Sequence, residues 1–233
     1  MILNGTAAGI AAVVLGYLIG AIPSAYIITK LATGKDIRTL GTGLTGVGNA
    51  GAHNVFSNVG RGAGVGVFIA DFLKGGLAVL LAEWLLRWPS PSNSQPSAAI
   101  FFVLGAGVGA VIGHIWPVYL RFVGGGGLAT TLGVLAVLMT SSFLIAMAIA
   151  LVFFVSTRNA VFSVLIGLAT LPAFSWLLGY RWWLIVFPLA LFVVMLVHQA
   201  PNLALELRQA GSVQNWLARQ LRRDRPKRKR DKK

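Results

Sequence analysis

Apolar residues fall in long stretches near residues 7–30, 63–86, 98–120, 128–155, 160–178 and 182–198. A helix needs about 20 mostly apolar residues to cross the hydrocarbon core of a bilayer. Each stretch therefore predicts a helix that enters or crosses a membrane. The fourth is longer than one crossing requires and is interrupted by Met139-Thr140-Ser141-Ser142. It is either one long tilted helix or a short helix, a turn and a second helix. The pattern predicts an all-α fold, a polytopic bundle of seven transmembrane helices, with six as the alternative. Residues 1–200 form the transmembrane domain and residues 201–233 a cytoplasmic basic tail.

Composition agrees with this reading. Hydrophobic residues make up 56% of the 233, charged residues 11%, and mean hydropathy is +0.77. A soluble domain carries about 25% charged residues. Six acidic residues are too few to dress a water-facing globule of this size. The absence of cysteine excludes disulfides, thiolate metal sites and cysteine nucleophiles. The N-terminus, Met1-Ile-Leu-Asn-Gly-Thr6, lacks a positive region and reads as a retained first span.

Charge sets the parity of the spans. Basic residues in short loops mark the cytoplasmic side. Lys30, Lys35, Arg38 and Arg61 follow the first span, and residues 219–233 hold ten Lys or Arg against two Asp. Both groups lie inside only if the fourth stretch is split, giving seven spans in the cell membrane, the N-terminus outside and the C-terminus cytoplasmic. A basic run directly after an apolar segment is held by anionic inner-leaflet lipids, and no nucleic-acid partner is expected.

This orientation gathers unusual polar residues toward the inner face: Ser24, Tyr26 and Lys30, then Asp71 and Lys74, His114, Arg158 and His198. Ionisable groups at membrane depth are costly and tend to mark function. Asp71 and Lys74, at i and i+3, are also placed to pair with each other. Three His and few acids offer no metal constellation, and no cofactor is expected. Two glycine-rich segments lie on the same side, Gly41-Thr-Gly-Leu-Thr-Gly-Val-Gly-Asn-Ala-Gly-Ala-His-Asn-Val-Phe56 and Gly124-Gly-Gly-Gly-Leu-Ala-Thr130. Glycines let backbone amides form an anion-binding nest, and a following helix N-terminus adds its dipole. Neither segment is a Walker A loop, since no Gly-Lys-Ser/Thr follows.

These residues, taken in order, resemble the bacterial acyl-phosphate:glycerol-3-phosphate acyltransferases. The resemblance rests on Gly20-Ala-Ile-Pro-Ser-Ala-Tyr26, Asp36-Ile-Arg38, Gly46-Val-Gly-Asn-Ala-Gly-Ala-His-Asn-Val-Phe56 and Asp71-Phe-Leu-Lys-Gly75. It continues through Gly113-His-Ile-Trp-Pro-Val118, Phe122-Val-Gly-Gly-Gly-Gly-Leu-Ala-Thr130, Thr157-Arg158 and His198 to Asn202. The chain departs from the family pattern at several site positions. Val47, His53 and Ser57 replace a serine, a threonine and an arginine, and Val161 replaces a serine. Val123 and Gly126 replace the two lysines of the K-G-G-K-G loop. The final motif carries one inserted residue and lacks its glutamate.

The resemblance implies a seven-span membrane enzyme that moves an acyl chain from acyl phosphate to glycerol 3-phosphate, giving lysophosphatidate for phospholipid synthesis. It implies direct transfer without an acyl-enzyme. His198 or His53 would steer the hydroxyl proton. The backbone of Gly124, Gly125, Gly126 and Gly127, with Thr130, would hold phosphate. Asn49, Asn54, His114 and Asn202 would bind polar substrate groups, and Lys74 and Arg158 would offset phosphate charge. The replaced residues leave a second reading, a non-catalytic paralogue that binds a lipid or an anionic head group.

The charge distribution makes one direct prediction. Reporter fusions at the two ends should report an outside N-terminus and an inside C-terminus. Both termini on one side would exclude the seven-span arrangement.

Overall fold

The structure is a computed structural model that describes residues 5–40, 49–86, 98–158 and 160–222. The side chains of Ala98, Val161, Asn202, Leu203, Glu206, Leu217 and residues 219–222 lie outside the description. The described residues are helical, without strands. The helices are α1 (Gly5–Gly20), α2 (Ser24–Thr33), α3 (Ala52–Asn58), α4 (Arg61–Leu85), α5 (Ala98–Ile115), α6 (Leu128–Leu138), α7 (Thr140–Thr157), α8 (Ala160–Leu177), α9 (Trp182–Ala210) and α10 (Val213–Arg222). Two single-turn 3₁₀ segments, Ile37–Thr39 and Val118–Leu120, sit in the connections.

Five helical stretches are long and apolar enough to cross a bilayer: Gly5–Thr33, Arg61–Leu85, Ala99–Leu120, Thr140–Thr157 and Trp182–Pro201. Two further apolar helices, Leu128–Leu138 and Phe162–Leu177, are shorter. The fourth sequence stretch breaks at Met139, where the backbone leaves helical geometry (φ −139°, ψ 46°). The first stretch, expected as one span, is also divided. Pro23 has no N–H to donate and disfavours helical geometry at Ile22, so α1 ends at Gly20 and α2 begins at Ser24. The last stretch runs beyond His198, since α9 continues through Pro188 and Pro201 to Ala210.

Helix α4 is apolar outward and polar inward, the reverse of a water-facing helix. Ile69, Leu73, Leu77, Leu80 and Trp84 are exposed, spaced three or four apart on one face. The opposite face buries Val67, Asp71, Lys74, Gly75, Ala78 and Ala82.

Small residues then let helices approach closely, the packing that works where lipid is as apolar as leucine. A Cβ added at Gly16 or Gly20 of α1 would meet the backbone of Ala106 or Ala110 in α5, and one at Gly113 would meet that of Tyr17. Contacts that advance together along both helices make α1 and α5 parallel. On α4, a Cβ at Gly75 would fall on the Thr130 carbonyl, and one at Gly133 of α6 on the Phe72 carbonyl. Helices α7 and α8 form an antiparallel pair, joined by hydrogen bonds between Ser142 and Ser175 (3.0 Å) and between Thr157 and Ser163 (3.2 Å). The main core lies between α5, α6, α8 and α9, around Val103, Leu135, Leu171, Leu184 and Leu191.

Gly20→Val should therefore push α5 away and lower stability by about 1–3 kcal/mol, the usual scale of overpacking. Thermal unfolding in detergent would measure it. Leu73→Val, on the lipid-facing stripe, should leave the transition nearly unmoved.

Candidate functional site

The break before α2 frees the Ile22 carbonyl from helical pairing and turns it toward α4. Lys74 Nζ donates to it at 2.9 Å. The same ammonium stands 2.8 Å from Asp71 Oδ1, an oblique but close ion pair. Both side chains are almost sealed, 7% and 2% exposed. His114, at the C-terminal end of α5, places Nδ1 3.6 Å from the same Asp71 oxygen. That is an ion-pair separation rather than a hydrogen bond. Removing one partner of a buried pair leaves an uncompensated charge and costs roughly 3–5 kcal/mol, so these groups fix one another.

The second glycine segment is laced onto this cluster. Gly125 N donates to the His114 carbonyl (3.1 Å), and Ala50 N donates to the Gly124 carbonyl (3.0 Å). A Cβ on Gly125 would overlap His114 Nε2, and one on Gly124 would overlap the His114 carbonyl. Gly127 takes a left-handed backbone (φ 86°) as it enters α6, a conformation glycine adopts without strain. Gly126 differs, since a Cβ there would meet only the end of the Gln199 side chain, at 3.0 Å. A small, half-open pocket lies where these elements meet. Ile22, Asp71, Lys74, His114, Gly124 and Gly125 are among its lining residues.

The other expected site residues fall at different distances from the pocket. Asn49 lies beside the loop: a Cβ on Gly51 would come 2.9 Å from Asn49 Oδ1 and 3.9 Å from Gly126 N. Asn49 Oδ1 and Thr130 Oγ1 are buried without a hydrogen-bond partner among the described residues. His198 stacks edge-on against Trp116, ring centroids 5.5 Å apart, and is near enough to His114 for the two rings to interact electrostatically. Asn202 is on α9 one turn further, but its side chain lies outside the description. His53 is exposed on α3, and Arg158 is exposed in the left-handed turn that ends α7. Neither lines the pocket. Residues 41–48 of the first glycine segment lie outside the described residues.

Asn54 serves the loop itself. Its amide nitrogen faces the carbonyls of Asn49 (2.7 Å), Ile37 (3.3 Å) and Leu40 (3.3 Å), and its Oδ1 accepts from Asn58 Nδ2 (2.6 Å). Two amide protons shared among three carbonyls clamp both ends of the first glycine segment. A second clamp comes from Arg38. It holds Asp36 through Nε and Nη2, while Nη1 donates to the Leu120 carbonyl (3.1 Å) just ahead of the second segment. These hydrogen bonds from Arg38 hold the Asp36 carboxyl below its ordinary pKa. Its contribution to stability is thus present above the usual carboxylate range and is lost as pH falls through the lowered value.

From the sequence, Asp71 is an ionisable group at membrane depth placed to pair with Lys74, and neither Ile22 nor Gln199 stands out. The signal for Ile22 was present, because a proline inside an apolar run marks a helix break. Gln199 carried no signal of its own.

Comparison with known proteins follows this geometry. A family model described as glycerol-3-phosphate acyltransferase matches residues 10–207. The glycerol-3-phosphate acyltransferase of Endomicrobium trichonymphae is 37% identical over 192 residues, 82% of this chain and 88% of that protein. Its namesake in Brucella anthropi is 37% identical over 191 residues, covering 82% and 86%. Two crystal structures of PlsY (YgiH), an integral membrane glycerol 3-phosphate acyltransferase, superpose on 86% of this chain and 92% of theirs. The glycerol 3-phosphate form has a TM-score of 0.70 at 27% identity and the lysophosphatidic acid form 0.67 at 26%.

The clamp geometry gives a test of Asn54. Asn54→Ala should destabilise the protein by about 1–3 kcal/mol, the cost of leaving buried carbonyls unpaired. Asn54→Asp should lose at least as much, because a carboxylate cannot donate to those carbonyls. Unchanged thermal unfolding in both variants would mean the amide does not hold the segment.

Proposed function

The chain belongs to the glycerol-3-phosphate acyltransferase family, and from that membership we propose how its inner-end site performs the transfer. The protein is a membrane glycerol-3-phosphate acyltransferase of phospholipid synthesis. The donor in our reading is an acyl phosphate whose chain stays in the bilayer while its phosphate enters the pocket. Glycerol 3-phosphate arrives from the cytoplasm. Its hydroxyl oxygen attacks the acyl carbonyl carbon, the bond from that carbon to the phosphate oxygen breaks, and inorganic phosphate leaves with lysophosphatidate as product.

The observation that carries this reading is the meeting of Gly124 and Gly125, the loop that leads into α6, with the Asp71–Lys74–His114 cluster around one pocket. Amides at a helix N-terminus favour an anion, and Lys74 adds charge. Asn49 and Thr130, near the loop but not lining the pocket, carry buried oxygens without partners among the described residues, and we assign them to substrate hydroxyls. His198, close to His114 on the side of α9, is our candidate for steering the hydroxyl proton. His53 and Arg158, exposed and off the pocket, are assigned peripheral contacts with the anionic substrates, and Asn202 a contact with the glycerol.

We further read the chain as seven membrane segments with the N-terminus outside and the C-terminus cytoplasmic. The parallel course of α1 and α5, and the return of α7 along α8 at Arg158, support it. The sequence of α10, Val213-Gln-Asn-Trp-Leu-Ala-Arg-Gln-Leu-Arg222, alternates apolar and polar residues at helical spacing. Such a helix suits an anionic membrane surface, and the basic residues that follow would strengthen the attachment.

Purified protein should release phosphate from acyl phosphate only when glycerol 3-phosphate is added. His198→Ala should lower that turnover by roughly 10²-fold, the scale of a lost proton-transfer group, with thermal stability nearly intact. Saturable glycerol 3-phosphate binding without phosphate release would favour the non-catalytic reading instead.

A further inference from the structure

The glycine loop of this chain carries no cation of its own. Residues 123–127 read Val-Gly-Gly-Gly-Gly. A phosphate bound there would have backbone amides but no charged donor from the loop. Charge-assisted donors are roughly twice as strong as neutral ones, so the source of positive charge matters.

The fold supplies charge from beneath. Lys74 engages Asp71 and the Ile22 carbonyl, which leaves one of its three ammonium protons. His114 turns Nδ1 toward Asp71, and its opposite nitrogen, Nε2, lies against Gly125. Nε2 has no hydrogen-bond partner among the described residues, and His114 lines the pocket. We propose that Asp71 orients His114 with Nε2 turned to the glycine loop, so that His114 and Lys74 together supply the donors that the loop's own side chains lack in binding a phosphate monoester. In this arrangement Asp71 is a positioning residue. It faces Lys74 and His114; His198 on α9 and Tyr17 on α1, whose hydroxyl donates to the Trp116 carbonyl, are titratable groups on the elements packed against this end of α5.

The four glycines are not equivalent in this scheme. Gly124 and Gly125 are filled by the His114 carbonyl and ring, and Gly127 has a left-handed backbone. Gly126 has an ordinary backbone angle, as Gly124 and Gly125 do, but its added Cβ would meet only one atom, at the end of the Gln199 side chain. It is therefore the position where a lysine would restore charge to the loop without displacing the ring below.

The inference rests on the phosphate-pocket reading above, and equilibrium binding tests it independently of turnover. Titration calorimetry on the full chain in detergent would use glycerol 3-phosphate and, separately, a non-hydrolysable acyl phosphonate. His114→Gln should weaken the ligand that sits on the loop by roughly ten- to a hundredfold, the range expected for one charge-assisted hydrogen bond. Whichever ligand responds identifies the phosphate that occupies the loop. Adding Gly126→Lys to His114→Gln should recover most of the lost affinity, which a merely structural role for His114 would not allow. Asp71→Asn should weaken the same ligand, with Gly126→Lys again recovering it, because the carboxylate orients the ring. Unchanged affinity for both ligands in His114→Gln would overturn the proposal. So would a folded double variant that recovers nothing. A wild-type protein that binds in this manner yet releases no phosphate would refute the acyl-transfer reading while leaving this one intact.

Discussion

A buried carboxylate–ammonium pair, Asp71 with Lys74, sets the terms for the inner end of the bundle. Each charge taken out of water costs several kcal/mol even after relaxation. Neither would persist on an apolar helix unless its remaining bonding capacity were met nearby. The surrounding architecture meets it. The proline break between α1 and α2 presents the Ile22 carbonyl to Lys74, and α5 ends where His114 reaches Asp71. A continuous helix through Pro23 would have kept that carbonyl in its own ladder. The site and the interrupted first span thus share one cause.

The close helix crossings follow from the same demand. To bring a carbonyl from the α1–α2 joint, a side chain from α4 and one from α5 to a common point, the helices must approach nearly backbone to backbone. Glycines at 16, 20, 75, 113 and 133 permit it. The large side chains are displaced outward, which is why Leu73, Leu77 and Trp84 face away from the core. The Asn54 and Arg38 clamps then tie the segments between the helices, so the loops inherit the rigidity of the bundle.

Much of this was legible in the sequence, for identifiable reasons. Span positions follow from apolar length, and the interruption at Met139 was visible as a polar run inside an overlong stretch. The Asp71–Lys74 pair follows from i,i+3 spacing. Less legible were features that depend on three-dimensional approach. The role of Asn54 as a clamp requires knowing that Ile37, Leu40 and Asn49 converge on it. The exposure of His53 depends on which face of the short helix α3 packs inward. The difference between Gly126 and its neighbours is invisible in a run of four identical letters, since it arises from what lies beneath each one. The continuation of α9 through Pro201 ran against proline's usual effect and reflects a helix already fixed by packing upstream.

The size of the pocket has a consequence for substrate range. Its enclosed space is about 10 Å³, about what one water molecule needs. It has no room for a long hydrocarbon chain. In the proposed reaction that chain remains dissolved in the surrounding lipid, and the described residues offer no internal ruler for it. The acyl lengths found in the product would then be set by the donors available in the membrane and by its thickness, not by a wall within the enzyme.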